Sequence, residues 1–402
     1  MLVGKRAMKR VLIVGTADTK GEELDYLRTQ VAKAGAQPIV VDVGIGEPQC
    51  AVDVPRTQVA ACLDGAILEG RDRGLAVARM GEAFERFLTS FAGFDAILGI
   101  GGSGGASIVT RGMRALPIGV PKLVVSTLAS GNVAPYVDVT DITMMPSITD
   151  LAGLNRVSRV VLRNAAYAIA GMAAAPRSAP DDGKPSIGLT MFGVTTSCVT
   201  QVVERLKGRY DCMVFHATGT GGRAMEKLLD SGQLDGLVDV TTTEVCDLLC
   251  DGVLSAGEDR LGAVARSRAP YVGSVGALDM VNFGAMETVP ERYRKRLLYV
   301  HNPHVTLMRT TASECRAIGE WIAAKLNLCD GPVRFLIPEK GVSALDVEGG
   351  AFFDPEADAA LFDALEGALR QNDRRRLVRL PLHINDPGFA TALADSFLAI
   401  TG

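Results

Sequence analysis

The sequence predicts an α/β protein with two Rossmann-like, doubly wound domains, whose mainly parallel sheets face each other across a cleft. Short, continuous apolar runs alternate with amphipathic segments along the chain, a pattern typical of buried parallel strands joined by helices. A segment rich in Pro, Ala and Asp interrupts this alternation at residues 171–185, and the alternation then restarts. The interruption predicts an interdomain linker, with one domain at residues 1–180 and a second at residues 186–402.

The first half contains four apolar runs that we interpret as strands, at residues 10–15, 37–44, 94–102 and 121–127. None shows the alternation of apolar and polar residues typical of a half-exposed strand, which favours strands buried on both faces. The amphipathic segment at residues 21–35 predicts a helix that covers the sheet.

The second half contains seven such runs, at residues 186–193, 212–219, 236–242, 270–276, 296–303, 333–338 and 376–384. The two halves resemble each other weakly, because strands in both are followed by Gly-rich or Thr-rich loops. The Gly-rich loop in residues 98–107 matches residues 215–225, and residues 124–132 match residues 238–245. Gene duplication and independent folding into similar domains both remain open.

Composition and charge exclude several classes of partner. A net charge of −4 and an aromatic content of 5% argue against a nucleic-acid-binding protein. No apolar run approaches the roughly 20 residues that a membrane span requires. The eight cysteines are dispersed, without a Cys-x-x-Cys pair, which predicts reduced thiols and a cytoplasmic location. Cys246 and Cys250 share a helix face and are interpreted as core residues.

The segment ILGIGGSGGAS at residues 97–107 is the first candidate binding loop. It lacks the Gly-Lys-Ser/Thr of a Walker A loop, and the next strand ends without the acidic residue of a dinucleotide site. Glycines let a ligand approach the backbone, and helix N-termini attract anions. We therefore predict a phosphate-binding loop, with a tight turn for close helix–sheet packing as the alternative. The predicted residues are Gly101, Gly102, Ser103, Gly104 and Gly105.

Two further loops, at residues 15–23 and 126–143, follow strands of the first half and are predicted to contribute to the same site. In the loop at residues 15–23, Asp18 is a candidate for orienting a ribose or a metal-bound water, and Lys20 is a candidate for neutralising phosphate. A capping box formed by Thr19 and Glu22 is the structural alternative. The remaining predicted residues are Thr16, Thr127, Ser130, Gly131 and Asn132. Asp138 and Asp141 are candidate acids or metal partners, with turn and cap roles as the alternative.

The second half contains candidate catalytic residues. His216 ends a strand directly before a Thr/Gly loop, where an imidazole suits acid–base chemistry, and Glu244 follows the next strand. Glu226 either reaches back to this loop or lies on the surface, and Cys198 is a weaker candidate nucleophile. The predicted substrate-binding residues are Thr195, Thr196, Ser197, Thr218, Gly219, Thr220 and Gly221.

Protein-bound metal is not predicted. His301 and His304 flank Asn-Pro, which disfavours the helical spacing of a zinc protease, so no residue is assigned as a metal ligand. A divalent ion carried by phosphate fits the chain better. Thr311 and Glu314 fit a structural capping box at the start of a helix.

Five segments together resemble one family, which contains the ATP-binding amino-terminal region of the tomato tobamovirus-resistance protein and many bacterial homologues of uncertain function. They are GTADTKGEE, GIGGSGGAS, FHATGTGGRAME, TTTEVCDLL and GVSALDVEGGAFFDPEADAALFDAL. The resemblance covers essentially the whole chain and implies two Rossmann-like subdomains, ATP binding in the first, and homodimers. The loops Thr16–Lys20, Gly101–Gly105 and Ser130–Asn132 match the family pattern for ATP binding.

The first hypothesis is therefore a cytoplasmic ATP-binding protein. Whether Mg²⁺ accompanies the ATP is left open. The alternative is a metabolic enzyme, an isomerase, lyase or hydrolase, acting on a small carboxylated or phosphorylated metabolite at the interdomain cleft. A regulatory or scaffold protein controlled by ATP is a third hypothesis. The sequence does not decide whether the protein is an enzyme.

Overall fold

A separate parallel β-sheet lies at the centre of each half of the chain. The computed structural model describes residues 8–63, 67–69, 72–175 and 183–402. The chain divides into two units, Met1–Ala179 and Pro180–Gly402, each with helices packed on its own sheet. The predicted Rossmann-like α/β class with mainly parallel sheets is confirmed. The cleft between the domains stays a prediction.

The first unit alternates strands and helices almost strictly. Its elements are β1 Arg10–Gly15, α1 Gly21–Lys33, β2 Gln37–Asp42, α2 Arg56–Ala60, α3 Arg73–Ser90, β3 Ala96–Gly101, α4 Ser103–Ala115, β4 Lys122–Ser126, α5 Ala134–Val137, β5 Ile142–Pro146 and α6 Arg156–Ala174. The five strands are parallel and lie in the order β2-β1-β3-β4-β5. The order reverses between β1 and β3, and ligands of doubly wound sheets bind at such a switch point.

Both faces of this sheet are covered, which explains the continuous apolar runs. Leu12 and Val14 of β1 belong to the apolar layer that contains Phe84 of α3. Val11 and Ile13 point to the opposite face, into the layer that contains Leu24 of α1. Alternate residues of a strand face opposite sides, so a strand between two helix layers is apolar at every position.

The end of the first unit differs from the prediction. Helix α6 begins at a capping box formed by Asn155 and Ser158 and continues to Ala174, so the predicted linker 171–185 begins inside a helix. The run of alanines and glycine there lacks apolar periodicity but contains good helix formers. Residues 176–182 of the predicted linker lie outside the described residues.

The second unit contains two sheets. Its elements are β6 Ser186–Met191, α7 Thr196–Leu206, β7 Asp211–His216, α8 Thr220–Asp230, β8 Gly236–Thr241, α9 Glu244–Leu249, α10 Gly262–Ser267, β9 Tyr271–Gly276, β10 Met280–Phe283, β11 Leu298–Asn302, β12 Val305–Arg309, α11 Ala312–Leu326, β13 Val333–Pro338, α12 Pro355–Ala368, β14 Arg375–Leu380 and α13 Pro387–Thr401. The main sheet is parallel, in the order β14-β13-β9-β8-β6-β7, and β10-β12-β11 form an antiparallel sheet.

The two parallel sheets share a strand order, and this order changes the expected correspondence between the halves. The series β7-β6-β8-β9-β13 repeats the series β2-β1-β3-β4-β5. Strand β7, which ends in the Gly-rich segment at residues 215–225, therefore corresponds to β2. The strand that corresponds to β3 is β8, with its Thr-rich loop. The pairing of the two Gly-rich loops is wrong by one strand, while duplication itself stays a prediction.

Three strands were not predicted from the sequence, and one predicted strand belongs to an antiparallel sheet. Strands β5, β10 and β12 are four or five residues long, and none stands out as a continuous apolar run bounded by turn residues. The run 296–303 contains β11, which pairs antiparallel with β12. In the described part of the chain, no helix combines the length and apolarity needed to cross a bilayer.

Candidate functional site

A cavity of about 340 Å³ opens at the switch point of the first unit, where β1 and β3 end. It brings together the loop after β1 and the first turn of α4, as the sequence predicts. The lining residues are Thr16, Asp18, Thr19, Lys20, Val43, Ile45, Arg73, Val77, Gly102, Ser103, Gly104, Gly105 and Ile108. Cavities of this size and position accommodate small ligands.

The loop after β1 is a tight turn held by its own backbone. The Thr16 carbonyl accepts hydrogen bonds from the N–H groups of Thr19 and Lys20 at 3.0 and 2.8 Å. The hydroxyls of Thr16 and Thr19 are 2.7 Å apart. Helix α1 starts at Gly21 without a side-chain cap, so the predicted Thr19–Glu22 capping box is wrong. The Lys20 ammonium donates to the carbonyl of Leu151 while it lines the cavity.

Two carboxylates shape the loops around this cavity. Asp42, at the end of β2, accepts hydrogen bonds through Oδ1 from the N–H groups of Ala17 and Gly44, at 2.9 and 2.8 Å. Asp18 accepts one through Oδ2 from Gly46 at 2.8 Å. Burial is the main cause that raises the pKa of Asp42, and the charge of Asp18 adds to it. Asp42 Oδ2 and Asp18 Oδ1 are buried without a partner among the described residues.

The glycines at the end of β3 have two separate roles. A Cβ on Gly101 would lie 2.8 Å from the backbone nitrogen of Ala106, so this glycine is required for the close approach of β3 and α4. No side chain of the described residues caps α4, whose N-cap is Gly102. A Cβ on Gly104 would meet nothing within 4 Å. The first turn of α4 therefore presents backbone N–H groups at the cavity wall.

The third predicted loop lies partly beside this site. Thr127 and Ser130 line a neighbouring cavity of about 360 Å³, and a Cβ on Gly102 would lie 3.9 Å from Thr127 Oγ1. Gly131 and Asn132 line neither cavity, and Asn132 Oδ1 accepts from the N–H of Ala134 instead.

Asp141, one of the two candidate acids after this loop, has structural partners. Asp141 forms an ion pair with the buried Lys122 ammonium at 2.7 Å and accepts from the N–H of Gly119 at 2.8 Å. These contacts favour the turn and cap alternative for Asp141 over a role as acid or metal partner.

Sequence reasoning missed part of the cavity wall. Val43 and Ile45 follow β2, and Arg73 and Val77 belong to α3, far from the Gly-rich loops in the chain. Asp42 was missed as well, although an acidic residue at the end of the second strand is a recognised signal in Rossmann-like folds.

At the corresponding switch point of the second unit, between β6 and β8, threonine hydroxyls are engaged in hydrogen bonds within the protein. The Thr195 hydroxyl is fully buried, 2.8 Å from that of Thr241. The Thr190 hydroxyl donates to Asp239 at 2.6 Å. Thr196 and Ser197 are exposed at the start of α7, and the Thr196 hydroxyl donates to the carbonyl of Phe192.

Glu244 lies in a buried cluster of charges around Arg260. The Arg260 guanidinium contacts Glu244, Glu226 and Asp239, with nitrogen–oxygen distances of 2.8, 2.9 and 2.7 Å. Burial raises the pKa of both glutamates, and the Arg260 charge opposes that shift. Glu226 thus points inward, which excludes the surface alternative. The described network also includes the Tyr271 hydroxyl, which donates to Asp239 at 3.0 Å.

The Glu244 carboxylate also binds the backbone of the Gly-rich loop of the second half. Its Oε1 accepts from the N–H groups of Gly219 and Gly222 at 2.7 and 3.0 Å. A carboxylate of the protein thus lies where an anion would bind at the start of α8. The catalytic role of Glu244 stays a prediction, and the geometry favours a positioning role.

His216 is exposed at the end of β7, an edge strand, where its ring packs edge-on against Phe192 with centroids 5.3 Å apart. The Thr218 hydroxyl donates to the His216 carbonyl at 3.3 Å. A Cβ on Gly221 would lie 1.8 Å from the same oxygen, so the turn requires glycine. Thr220 begins α8 and is exposed. The roles predicted for these residues stay predictions.

The cysteines of the second unit are unsuited to nucleophilic chemistry. Burial raises the pKa of Cys198 to about 12, so its thiol stays protonated near neutral pH. Cys246 and Cys250 are buried in the core as expected, and burial raises the pKa of both thiols.

The remaining predicted residues lie at the β11–β12 hairpin and at the start of α11. His301 and His304 lie at the exposed tip of the β11–β12 hairpin. The capping box of Thr311 and Glu314 is confirmed at the start of α11. Within the described ranges, no three His, Cys, Asp or Glu side chains are grouped so as to hold a metal ion.

Comparison with known families gives one result over nearly the whole chain. The family model described as the N-terminal domain of the uncharacterised protein family UPF0261 matches residues 9–178. The model of the C-terminal domain of the same family matches residues 184–401. The resemblance inferred from the sequence motifs is confirmed.

Several curated proteins are similar to nearly the whole of this chain. A UPF0261 protein of Rhizobium meliloti is 66% identical, over 97% of this chain and 98% of its own length. A UPF0261 protein of Clostridium tetani is 45% identical, over 97% of this chain and 98% of its own. The ToMV resistance protein Tm-1 of Solanum lycopersicum is 43% identical over 98% of this chain, which spans 56% of that protein.

Solved structures give only distant likenesses. A Streptomyces glycosyltransferase complexed with thymidine diphosphate has a TM-score of 0.19 and 12% identity, over 66% of this chain and 81% of its own. A UDP-N-acetylglucosamine 2-epimerase from Rickettsia bellii has a TM-score of 0.22 and 10% identity, over 98% of this chain and 96% of its own. TM-scores this low carry no argument about function.

Proposed function

This chain belongs to the uncharacterised protein family UPF0261, and we propose that its first unit binds ATP in the cavity between the loop Thr16–Lys20 and the first turn of α4. One observation carries the proposal. Two loops that lie more than 80 residues apart in the sequence line a single cavity at the switch point of a doubly wound sheet.

The first turn of α4 is the proposed phosphate site. Its amides are uncapped by any described side chain, and the positive end of the helix dipole favours an anion there. Gly104 and Gly105 leave the backbone open to a close approach. Lys20 and Arg73 supply two positive charges at the wall of the cavity.

Asp18 is the proposed partner for the ribose or for a water bound to Mg²⁺. It lines the cavity, and its Oδ1 lacks a partner among the described residues. A Mg²⁺ ion held mainly by phosphate oxygens needs few protein ligands. We further propose a homodimer, as the family resemblance implies, and a cytoplasmic location, which the dispersed cysteines predict.

Isothermal titration calorimetry with ATP and Mg²⁺ tests the proposal directly. At an ATP concentration of 100 times the Kd, binding adds about 2.7 kcal/mol to the free energy of unfolding, which a thermal melt detects. The proposal is wrong if saturating ATP gives neither heat nor a shift in melting temperature.

A pair of lysine variants at opposite ends of α1 locates the site. Lys20→Met removes a charge from the cavity wall and is expected to raise the Kd by about tenfold, or 1.4 kcal/mol. Lys33→Met removes an exposed lysine from the last turn of α1, outside the cavity, and should leave the Kd unchanged. Equal effects of the two variants would place ATP elsewhere.

A further inference from the structure

A separate cavity of about 620 Å³ lies within the second unit, beyond the carboxyl ends of β13 and β14. Its wall contains Gly341, Phe353, Asp358, Phe362 and His383. Most of this wall comes from the segment GVSALDVEGGAFFDPEADAALFDAL, which the proposed ATP site leaves unused. The position resembles that of the ATP site, because both cavities lie at the carboxyl ends of parallel strands.

The segment folds back tightly to form this wall. Gly341 has a φ of +120°, and a Cβ there would lie 1.8 Å from the carbonyl oxygen of Asp346, so only glycine fits. The Val342 N–H donates to Asp346 Oδ2 at 2.8 Å. Asp354 accepts from the N–H of Ala357 at 3.0 Å and caps α12, which carries Asp358.

Asp358 is the chemically distinctive group in this wall. It exposes only 6% of its surface, and its Oδ1 accepts from Arg309 Nη2 at 2.6 Å. The carboxyl of Asp346 approaches the same guanidinium, with its Oδ1 3.9 Å from Arg309 Nη2. Two buried carboxyl groups that share one cation favour a proton on one of them. Asp346 is fully buried, and its Oδ1 has no hydrogen-bond partner among the described residues.

The charges around Asp346 and Asp358 favour a proton on one of these two carboxyl groups. Asp279, Asp346 and Asp358 surround the single guanidinium of Arg309. Burial, followed by the charge of Asp346, raises the pKa of Asp358 to about 8 and that of Asp279 to about 7. Asp358 is thus mostly a neutral carboxyl at neutral pH, able to donate a hydrogen bond.

We propose that this cavity is a second binding site, for a small organic molecule without negative charge, in which Asp358 donates a proton to the ligand. The Asp358 carboxyl gives its proton to a basic nitrogen or oxygen of the ligand. The carboxylate that remains keeps its ion pair with Arg309, and the reverse transfer restores the starting state. The site is independent of the proposed ATP site.

The lining determines the class of ligand. Phe353, Phe362 and Val347 provide apolar surface for an organic skeleton. The other acidic groups of the wall are Glu339, Glu348 and Asp386.

The positive groups of the wall are largely engaged. Arg379 is paired with Glu339, Asp363 and Glu366, and both ring nitrogens of His383 are hydrogen-bonded, to Ser343 and Asn385. Lys340 is exposed at the rim. A negatively charged ligand would therefore meet more negative than available positive charge.

Ethyl diazoacetate is a suitable probe, because it esterifies protonated carboxyl groups. The carboxyl proton moves to the diazo carbon, the carboxylate oxygen forms a bond to that carbon, the C–N bond breaks, and N₂ leaves. At about pH 6.5, we expect labelling of Asp358 to exceed that of Glu356, an exposed carboxyl on the same helix, by about a hundredfold. Peptide mass spectrometry of the labelled full-length chain measures both.

The controls separate an accessible acid from a merely buried one. Asp279 also keeps its proton but does not line the cavity, so it should stay unlabelled. Asp358→Asn should abolish the label, and Glu356→Gln, on the same helix, should leave it unchanged. Ala359→Phe fills the cavity beside Asp358 and should block labelling. This variant tests the proposal independently if Asp358→Asn fails to fold. Labelling of wild type should fall as the pH rises through about 8.

The proposal fails if Asp358 of the folded wild-type protein is not esterified. It also fails if Ala359→Phe labels like wild type, because the probe would then reach Asp358 by another route.

Discussion

Arg260 shows how much of the second unit depends on a single residue. Its guanidinium is the shared partner of Glu226, Asp239 and Glu244, and it exposes only 2% of its surface. Nothing in the local sequence distinguishes this arginine, because its three partners come from other elements. The sequence predicts polar residues near the strand ends, but the guanidinium that holds them together is a product of the tertiary fold.

Removal of this guanidinium should destabilise the protein strongly. We expect Arg260→Met to lower the free energy of unfolding by about 3–5 kcal/mol, because it leaves buried carboxylates unpaired. The loss should shrink as the pH falls, since protonation of the glutamates removes the uncompensated charge. Urea unfolding of wild type and variant between pH 5 and pH 8 measures both effects.

Arg266 provides the matched control. It also pairs with two carboxylates, those of Asp230 and Asp259, both at 2.8 Å, but its side chain is 48% exposed. Arg266→Met should therefore cost no more than about 1 kcal/mol. Similar losses for the two arginine variants would contradict the role assigned to Arg260.

Asp42 carries a second prediction at the scale of one residue. Its Oδ1 accepts two N–H groups that shape the proposed ATP cavity. Asp42→Asn keeps an oxygen for both donors and should bind ATP with a Kd close to wild type. Asp42→Ala leaves both donors unpaired and should raise the Kd by about tenfold. Calorimetry compares the three proteins, and equal affinity of all three would show that Asp42 does not position the loop.

At the scale of elements, the sequence predicts the central strands well because they are buried on both faces. Strands β1 and β3 are runs of apolar residues and glycine that are buried almost throughout. Strand β5 lies at an edge of its sheet and mixes polar with apolar residues, so its pattern gives no such signal. Burial alone did not decide which strands were predicted, because β10 and β12 are buried but only four and five residues long.

The Gly-rich loops were predictable because their turns require glycine. The correspondence between the loops of the two halves was not predictable. Glycine is required where β3 meets α4 and where β7 meets α8, so both turns are Gly-rich. Only the strand order shows that these turns occupy different positions in the two sheets. Arg73 reaches its cavity from a helix outside the strand–loop motifs, so the motifs did not reveal it.

The turn between β3 and α4 gives a prediction that separates stability from binding. Gly101→Ala forces a methyl group against the backbone of Gly105 and Ala106, which should cost about 1–3 kcal/mol of stability. Gly104→Ala meets open space and improves helix propensity, so its free energy of unfolding should change by no more than about 1 kcal/mol.

The same two variants should behave differently towards ATP. The new methyl group of Gly104→Ala lies on the wall of the cavity, and we expect it to raise the Kd by about tenfold. Urea unfolding and calorimetry on both variants test the pair. An unchanged Kd for Gly104→Ala would remove the first turn of α4 from the proposed phosphate site.

At the scale of the whole molecule, the fold raises the pKa of several buried carboxyl groups, so that they bind protons near neutral pH. Burial raises the pKa of Asp247 and Asp279 to about 7 and that of Asp358 to about 8, with Asp346 adding to the last two. All three are Asp residues that titrate near 3.8 in the unfolded chain. No count of acidic residues reveals this, because the formal net charge treats each of them as ionised.

Stability should therefore fall as the pH rises from 6 to 9. Between the unfolded and folded pKa values the native state holds more protons than the unfolded chain, so this stabilisation is complete below about pH 4 and is lost as the pH passes 7 to 8. Each proton lost contributes a slope of about 1.4 kcal/mol per pH unit. The urea midpoint should decrease over this range, and Asp279→Asn should flatten the decrease by removing one of these protons. A midpoint that is constant or rises from pH 6 to 9 would show that these carboxyls are ionised in the folded protein.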